Sequence, residues 1–332
     1  MRQEALAFWL REPGVGEIRR TTLAPPRAHD VTVRTLRSAV SRGTESLVFG
    51  GRVPPSQYDA MRAPFQDGDF PGPVKYGYLS VGLVEKGPAH LRGRTVFCLH
   101  PHQTAYVVPA SAVTVVPEDV PVSRAVLAGI VETAVNALWD AAPLVGDQVA
   151  VVGAGSVGCC VARLLARIPG VSVTLVDVDP ARADVATLLE VDFALPDQAA
   201  GGRDLVFHTT ATSSGLQRSL ELLAPEGTVL ELSWYGDDET VLSLGGSFHS
   251  GRLAVRASQV GMVAPSRRGR RTAADRIALA LALLRDAAFD SLLTGESPFE
   301  TLPEVMPRLV SRELPALCHT LTYDTVEVPC SA

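Results

Sequence analysis

A glycine-rich segment in the middle of the chain has the residue types and spacing of a phosphate-binding turn. Residues 151–158 read Val-Val-Gly-Ala-Gly-Ser-Val-Gly, a G-x-G-x-x-G motif that directly follows an apolar run. In such a motif Gly153 permits a tight turn, Gly155 lets the backbone approach a pyrophosphate, and Gly158 lets the following helix pack closely on the strand. The N-terminus of that helix would offer free N–H groups and a positive dipole end to the phosphates. The segment therefore predicts dinucleotide binding.

A carboxylate at the end of the next apolar run indicates which dinucleotide is bound. Leu175-Val176-Asp177 ends that run, 19 residues after the last glycine of the motif. A carboxylate there accepts hydrogen bonds from the ribose hydroxyls and repels a 2′-phosphate, so the sequence favours NAD over NADP. Arg182 would instead receive a 2′-phosphate, and the alternative role of Asp177 is to cap the following helix, for which Asp179 is better placed. The predicted cofactor-binding residues are Gly153, Gly155, Ser156, Val157, Gly158 and Asp177.

The elements around the motif alternate between strand and helix. Such alternation predicts a parallel sheet covered by helices on both faces. The predicted elements are, in order, a helix at 123–139, a strand at 148–153, a helix at 156–168, a strand at 172–178, a helix at 180–189, strands at 205–210, 228–234 and 253–258, and a helix at 273–288.

The flanking segments predict a second domain rich in β-structure. The first 118 residues contain short β-like runs, such as 31–36 and 95–99, separated by Pro and Gly. A final strand is predicted at 318–326, and this return to β-structure would pack the tail on the first domain. The predicted fold is therefore α/β, with a Rossmann doubly wound parallel sheet (121–290) inserted into a β-rich domain (1–120 plus 291–332).

Composition excludes several classes of function. The net charge of -6 and a pI near 5.7 argue against a nucleic-acid or membrane-surface partner. The N-terminus has no pattern typical of a signal peptide, and the longest apolar segments are far shorter than the roughly 20 residues of a membrane span. The five cysteines are odd in number and form no C-x-x-C pair, which is typical of a reducing compartment. We expect a cytoplasmic protein with a small-molecule substrate.

Several short stretches outside the dinucleotide motif have a recognisable pattern. They are Ser41-Arg42-Gly43-Thr44-Glu45, Gly77-Tyr78-Leu79, Gly93-Arg94-Thr95-Val96, Ala105-Tyr106-Val107-Val108-Pro109 and Gly146-Asp147-Gln148-Val149. Taken with the dinucleotide motif, these stretches resemble the medium-chain dehydrogenase/reductase family over nearly the whole chain. Within it, the Ser-Arg-Gly-Thr-Glu and Gly-Tyr stretches look most like the branch of bacteriochlorophyllide hydroxyethyl dehydrogenase. The resemblance implies a GroES-like catalytic domain beside the Rossmann domain, and a homodimer joined along the edge strand 253–258.

The chain departs from the family at the positions that would hold a catalytic zinc. Arg42 stands at the position of the Cys ligand, Tyr78 at that of the His, and Leu79 replaces the Glu beside it. Only Glu132, at the third position, keeps a residue type that binds zinc. The four-cysteine lobe of the structural zinc is missing as well. The resemblance, with these departures, predicts an enzyme without zinc.

Without zinc, other groups must move the proton of the reaction. Thr44 matches the hydroxyl of the family's proton relay, and Tyr78 would act as acid or base if Lys75 and Arg42 lowered its pKa. Glu132 would orient Tyr78 or serve as the base itself. The alternative is that Tyr78 and Glu132 fill the space left by a lost metal.

Two further clusters have residue types that bind ligands. On a strand, Cys98, His100 and His102 would share one face, which allows a substrate-lining role for either histidine or, less readily, a metal. The run Arg267-Arg268-Gly269-Arg270-Arg271 would hold an anionic group or form a solvated loop.

The favoured function is reversible hydride transfer between NAD and a secondary alcohol or ketone of medium size, carrying an acidic group. One alternative is an NADPH-dependent reductase of enone or quinone double bonds, as in zinc-free members of the same family. An alternative of another class is a protein that binds NAD(H) without turnover, as a sensor or scaffold.

Overall fold

The chain divides into two units in the computed structural model, which describes residues 3–323. One unit comprises the chain up to Gly129 together with the part from Leu293 onward, and the other comprises Ile130–Leu292. The sequence placed these boundaries at 120/121 and 290/291. The first unit is therefore discontinuous in sequence, with the second inserted into it.

Antiparallel pairing dominates the part up to Gly129. A four-stranded sheet has the order β2-β1-β5-β4, and β3 is the centre of a second sheet, where it pairs with both β6 and β8. The elements are β1 (Glu4–Glu12), β2 (Val15–Thr22), β3 (Asp30–Val40), α1 (Arg42–Phe49), β4 (Asp67–Gly68), β5 (Val74–Lys75), β6 (Ser80–Lys86), β7 (Thr95–Cys98), β8 (Ala105–Pro109), β9 (Val113–Val115) and α2 (Val122–Ala125).

The second unit is built on a parallel sheet. Three of its strands, at Gln148–Val152, Ser172–Val176 and Arg203–His208, are mostly buried on both faces, as expected when helices cover the centre of a parallel sheet. The elements are α3 (Ala128–Ala141, which begins just before the unit), β10 (Gln148–Val152), α4 (Ser156–Ala166), β11 (Ser172–Val176), α5 (Arg182–Leu188), β12 (Asp192–Ala194), β13 (Arg203–His208), α6 (Ser213–Leu222), β14 (Leu223–Glu231), α7 (Ser247–Ser250), β15 (Ala254–Ala257) and α8 (Ala273–Leu283).

The order of these strands places a crevice at a defined point of the sheet. The order is β12-β11-β10-β13-β14-β15, so the chain moves outward from β10 in one direction and then from β13 in the other. Ligands of such sheets bind at the carboxyl ends of the strands where the direction reverses, here between β10 and β13. The α/β prediction with a doubly wound sheet is thus confirmed.

The chain then returns to the first unit through β16 (Leu293–Pro298), α9 (Leu302–Val310) and β17 (Cys318–Thr322). β17 pairs antiparallel with β3, which completes a sheet with the order β16-β17-β3-β6-β7-β9 and β8 attached to β3. The predicted final strand therefore exists as far as Thr322, and its last residues, 324–326, lie outside the described residues. Among residues 3–323, no helix has the length and apolar character needed to cross a membrane.

Several elements differ from the sequence prediction. The strand predicted at 228–234 runs instead from Leu223 to Glu231, and three further differences involve helices or candidate residues. The predicted helix 123–139 is two helices, α2 and α3. The N–H of Leu127 bonds to the carbonyl of Arg124, and residues 125–128 are all buried, so this stretch lacks the exposed face of a continuous amphipathic helix. The predicted helix 273–288 ends at Leu283 and is followed by a 3-10 segment at Ala287–Leu292. The strand expected to carry Cys98, His100 and His102 ends at Cys98, so both histidines lie in the following loop.

A buried ion pair joins α3 to α8 in the second unit. Arg276 and Glu132 are 2% and 4% exposed, and the Arg276 Nε donates to Glu132 Oε1 at 2.9 Å. The same guanidinium donates to Asn136 Oδ1 and to the carbonyl of Val260. Asn136 Oδ1 also accepts from the N–H of Ala264. Because the guanidinium contacts both α3 and the loop before α8, the pair holds two helices and the loop between them in one arrangement.

We expect Glu132→Ala to destabilise the protein by about 3–5 kcal/mol, because it leaves the buried charge of Arg276 without its carboxylate. Urea unfolding curves of the full chain measure this change. The double variant Glu132→Met/Arg276→Met removes both charges and should recover part of the loss. Equal stability of Glu132→Ala and the wild type would show that the ion pair does not contribute to folding.

Candidate functional site

The glycine motif forms the turn between β10 and α4, and each glycine occupies a different kind of position. Gly153 has φ +109°, a left-handed conformation that glycine tolerates. A Cβ on Gly158 would lie 1.9 Å from the carbonyl oxygen of Gly153, so only glycine allows this approach of helix and strand. A Cβ on Gly155 would meet no atom within 4 Å. The protein therefore needs Gly153 and Gly158 for its own packing and leaves the space at Gly155 open.

The amides at the start of α4 face no acceptor within their own helix. Gly155 is the N-cap, and the N–H of Cys159 makes the bond to the carbonyl of Gly155. The N–H groups of Ser156, Val157 and Gly158 precede this bond, and such amides with the helix dipole form an anion-binding site. These residues fit the pyrophosphate of a dinucleotide.

Asp177 lies directly after β11, at the same edge of the sheet. Its Oδ2 accepts from the N–H of Ala154 at 2.6 Å and its Oδ1 from the N–H of Asp179 at 2.9 Å. The carboxylate therefore braces the glycine turn and does not cap α5. Asp179 instead accepts from the N–H of Ala181 and pairs with the guanidinium of Arg182 at 3.2 Å. The arginine that could receive a 2′-phosphate thus already has a carboxylate partner.

A buried polar network that the sequence analysis missed lies at the carboxyl ends of β13 and β14. His208 is fully buried, with Nδ1 2.7 Å from Glu231 Oε2 and Nε2 2.6 Å from Thr210 Oγ1. The Tyr235 hydroxyl donates to Glu231 Oε2 at 2.8 Å. Burial opposes ionisation of Glu231, but the hydrogen bonds from His208 and Ser233 hold its pKa below the usual value. The only signal in sequence was polar residues at the ends of two predicted strands.

The same strand end contacts the glycine turn. The Thr209 hydroxyl donates to the carbonyl of Gly153 at 2.9 Å, and a Cβ on Gly153 would come within 2.5 Å of that hydroxyl oxygen. β13 is the neighbour of β10 in the sheet. The hydrogen bonds of His208 therefore stabilise the strand end that carries Thr209, and Thr209 contacts the glycine turn.

In the first unit, Tyr78 and Thr44 are brought together. The Tyr78 hydroxyl donates to Ser41 Oγ at 2.6 Å and also makes a hydrogen bond with the Thr44 side chain. Burial, followed by the nearby charge of Glu45, raises the pKa of Tyr78 to about 12. The sequence analysis expected Lys75 and Arg42 to lower this pKa, and that expectation is wrong in direction.

Lys75 and Arg42 are the two cations that were expected to lower the pKa of Tyr78. The Lys75 ammonium donates to Gln103 Oε1 at 3.0 Å and pairs with Asp67 at 3.8 Å, while burial lowers its pKa. Arg42 is the first residue of α1 and is half-buried. Neither is among the groups that shift the pKa of Tyr78, whose local field comes from a carboxylate.

Glu45, which the sequence analysis did not select, connects α1 to the interior of the first unit. Its Oε1 accepts from the N–H of Ser41 at 2.7 Å, and its Oε2 contacts His102 Nε2 at 2.9 Å. His102 Nδ1 is 2.8 Å from Ser38 Oγ, which is in turn 2.7 Å from the Tyr323 hydroxyl. The backbone at Gly77 packs tightly against His102, since a Cβ on Gly77 would lie 2.9 Å from the His102 ring. The result is a continuous buried chain of hydrogen bonds.

The predicted substrate-lining histidines are interior residues. His102 is 1% exposed and both of its ring nitrogens are engaged. His100 stacks on Tyr106 with ring centroids 3.8 Å apart, and its Nδ1 donates to the carbonyl of Pro101. Burial lowers the pKa of His100 to about 3, so its ring is neutral. A substrate contact with either ring would require these contacts to be displaced.

Glu132 belongs to the second unit, where Arg276 holds its carboxylate. Burial raises the pKa of Glu132 to about 7, and Arg276 limits this rise. Its role as a base stays a prediction. In that role the carboxylate would have to take up a proton while it is paired with Arg276. Within residues 3–323, no group of three or more His, Cys, Asp or Glu side chains is arranged to hold a metal ion.

The fold of the whole chain matches that of known dehydrogenases. L-idonate 5-dehydrogenase from Escherichia coli superposes with a TM-score of 0.80 at 14% identity, covering 97% of this chain and 99% of that one. An E. coli alcohol dehydrogenase complexed with NADH gives 0.76 at 16% identity, covering 96% and 99%. A zinc-binding dehydrogenase assigned by similarity in Sinorhizobium meliloti, bound to NADP, gives 0.76 at 15% identity, covering 97% and 100%.

No protein-family model and no curated protein sequence matches this chain. At the identities found, the structural likeness establishes the fold: both units, in the same chain order, have the architecture of these dehydrogenases.

Proposed function

We propose that the protein is a nicotinamide-dependent oxidoreductase of the medium-chain dehydrogenase/reductase family, acting on a secondary alcohol or ketone. The observation that carries the proposal is the open space at Gly155, between the amides of α4 and the carboxylate of Asp177. A dinucleotide of this shape would place its pyrophosphate on the amides and its ribose on the carboxylate. Dehydrogenases of alcohols and polyols among the structural neighbours support the reaction class.

NAD is the preferred cofactor in this proposal. Asp177 would accept the ribose hydroxyls, and its charge opposes a 2′-phosphate. The pairing of Arg182 with Asp179 supports this choice, because the arginine that would bind a 2′-phosphate already has a carboxylate partner. The structural neighbours include complexes with both NADH and NADP, so the preference rests on this chain's own residues.

We expect Gly155→Ala to weaken NADH binding at least tenfold without changing thermal stability, because the methyl group meets no protein atom but fills the space of the pyrophosphate. Fluorescence titration of the full chain with NADH and NADPH measures both the loss and the preference. Gly158→Ala is the matched comparison: its methyl group clashes with the Gly153 carbonyl, so stability and binding should fall together. Unchanged binding in Gly155→Ala, or tighter binding of NADPH than of NADH, would contradict the assignment.

Tyr78 would handle the proton of the reaction. A bound nicotinamide would supply or accept the hydride. A phenol with a pKa of about 12 stays protonated near neutral pH, so it would act as a hydrogen-bond donor and not as a free base. Its proton, which Ser41 Oγ accepts in this structure, would turn to the substrate oxygen, and the hydroxyls of Ser41 and Thr44 would then donate to the phenol oxygen. As a hydride adds to a carbonyl carbon, negative charge develops on the carbonyl oxygen. A proton from Tyr78 would neutralise that charge.

Zinc independence is part of the proposal. Arg42 and Tyr78 are not zinc ligands, and the carboxylate of Glu132 is held by a guanidinium. The substrate would be a medium-sized alcohol or ketone, and the names of the neighbours, which include idonate and galactitol-1-phosphate dehydrogenases, are consistent with an acidic one.

A homodimer is proposed through β15. This strand is at the edge of the parallel sheet and all four of its residues are exposed, a pairing surface that proteins usually cover. Sedimentation of the purified chain as a monomer at micromolar concentration would refute the dimer.

We expect Tyr78→Phe to lower kcat about 10²–10⁴-fold while leaving the Kd for NADH unchanged, because only the proton-donating hydroxyl is lost. The pH profile gives a second readout. Since burial raises the pKa of Tyr78 to about 12, the hydroxyl keeps its proton through pH 10, and no loss of reduction rate below that pH should arise from it. A fall in rate near pH 8 that Tyr78→Phe abolishes would overturn the role.

The same preparations serve to test zinc independence and catalysis itself. Elemental analysis of chelator-free protein should give well under one zinc per chain, with turnover retained. A measured content close to one zinc per chain would contradict the zinc-free mechanism. Tight NADH binding without hydride transfer to a broad panel of ketones and aldehydes would favour a sensor or scaffold.

A further inference from the structure

A groove on the second unit lies away from the glycine turn. It has a volume of about 900 Å³ and is lined by residues near the C-terminal ends of α3, α4 and α8. The glycine turn is at the opposite end of α4, whose 11 residues span about 16 Å at the usual rise per residue. The groove is therefore separate from the dinucleotide site, although one helix contributes to both.

The floor of the groove is apolar and partly open to solvent. Trp139 and Leu138 from α3 are half-buried, Leu279 on α8 is 39% exposed, and Ile168 and Leu283 complete the surface. Apolar floors rimmed by polar groups are typical of binding sites, and the volume lies within the range of roughly 300–1,000 Å³ seen for small-molecule pockets.

The rim is positively charged on a protein whose net charge is -6. Four arginines line the groove: Arg163, Arg167, Arg267 and Arg285. Two carboxylates oppose them. Asp286 Oδ2 is 2.7 Å from Arg163 Nε, and Glu190 Oε2 is 2.9 Å from Arg163 Nη1 and 3.9 Å from Arg167. Both carboxylates meet at the buried Arg163. Among the described residues, no carboxylate forms an ion pair with Arg267, so the rim keeps a positive charge there.

Helix dipoles explain only part of this charge. Arg167 and Arg285 follow the C-terminal ends of α4 and α8, where cations are stabilised by the dipole in any case. Arg267 comes from the loop before α8 and has no such reason to lie at the groove. Nor does a dipole explain why apolar side chains remain exposed beneath the arginines.

We propose that the groove binds an amphiphilic organic anion, an apolar chain or ring that carries one carboxylate, sulfate or phosphate. The apolar part lies on Trp139 and Leu279, and the anionic group pairs with Arg267 at the rim. A guanidinium presents two parallel N–H groups to such an oxyanion, which suits a compact charged head. The proposal goes beyond the proposed function and does not depend on it.

Trp139 provides a direct readout in the full chain. Titration with decanoate below its micellar concentration, in the absence of any dinucleotide, should change the tryptophan fluorescence in a saturable manner. Trp139→Phe should abolish this change while calorimetry still detects binding, which locates the ligand at the groove. Decanol has the same chain without the charge and should bind at least tenfold more weakly.

Two substitutions test the two halves of the site. Arg267→Gln should weaken decanoate binding about tenfold, whereas Arg270→Gln, in the same arginine run but outside the groove lining, should leave it unchanged. Leu279→Glu places a carboxylate on the floor at an exposed helical position and should abolish binding without unfolding the protein. Circular dichroism of each variant shows whether it is folded.

Three results would overturn the proposal: equal affinity for decanol and decanoate, equal effects of the two arginine substitutions, or binding of the chain to anionic lipid vesicles with no binding of free decanoate. The last would indicate a lipid surface as the source of the anion. Because no dinucleotide is present in these titrations, a failure to bind decanoate would not contradict the proposed oxidoreductase function. A failure to bind NADH would likewise not contradict anion binding in the groove.

Discussion

The contact between the start of α4 and the end of β10 constrains the whole second unit. The backbone of Gly158 approaches the Gly153 carbonyl so closely that a single methyl group would overlap it. This approach places the free amides at the start of α4 beside the carboxyl end of β10, the strand that pairs with β11 and β13. Thr209 and Asp177 hold the turn through hydrogen bonds with the Gly153 carbonyl and the Ala154 N–H. The geometry of the candidate cofactor site is thus a consequence of packing among these residues.

Ionisable side chains in the interior of both units are organised as pairs. Glu132 with Arg276, His208 with Glu231 and Glu45 with His102 each place a carboxylate within 2.9 Å of a nitrogen. Such groups are costly to bury alone, and each pair is completed by further hydrogen bonds. Among the described residues, only Thr32 Oγ1 and His319 Nδ1 are buried polar side-chain atoms without a partner. An arrangement with the same apolar pattern but different neighbours would leave some of these buried polar atoms without a hydrogen bond. The pairing therefore favours one arrangement of helices and strands.

The residues packed around Tyr78 set the protonation state of its phenol. Its phenol is buried near a carboxylate, so its proton is held more firmly than in water. A group in this state keeps its proton near neutral pH, and here it donates that proton in a hydrogen bond to Ser41 Oγ. Glu45 supplies the local negative charge and is itself anchored by the interior histidine. The negative charge near Tyr78 therefore comes from a carboxylate that is itself only 4% exposed.

Local pattern by itself determined the α/β fold class, the alternation of elements and the glycine turn, because each depends on residues close in sequence. Gly153, Gly155, Gly158 and Asp177 could be assigned in this way, since strand, turn and helix follow one another directly. Tertiary structure alone decided the partners of the ionisable groups. Glu132 and Arg276 are 144 residues apart and Glu45 and His102 are 57 apart, and no periodicity links such positions. The direction of the Tyr78 pKa likewise followed from burial and from Glu45, because desolvation and charge depend on what packs around a group and not on its neighbours in sequence.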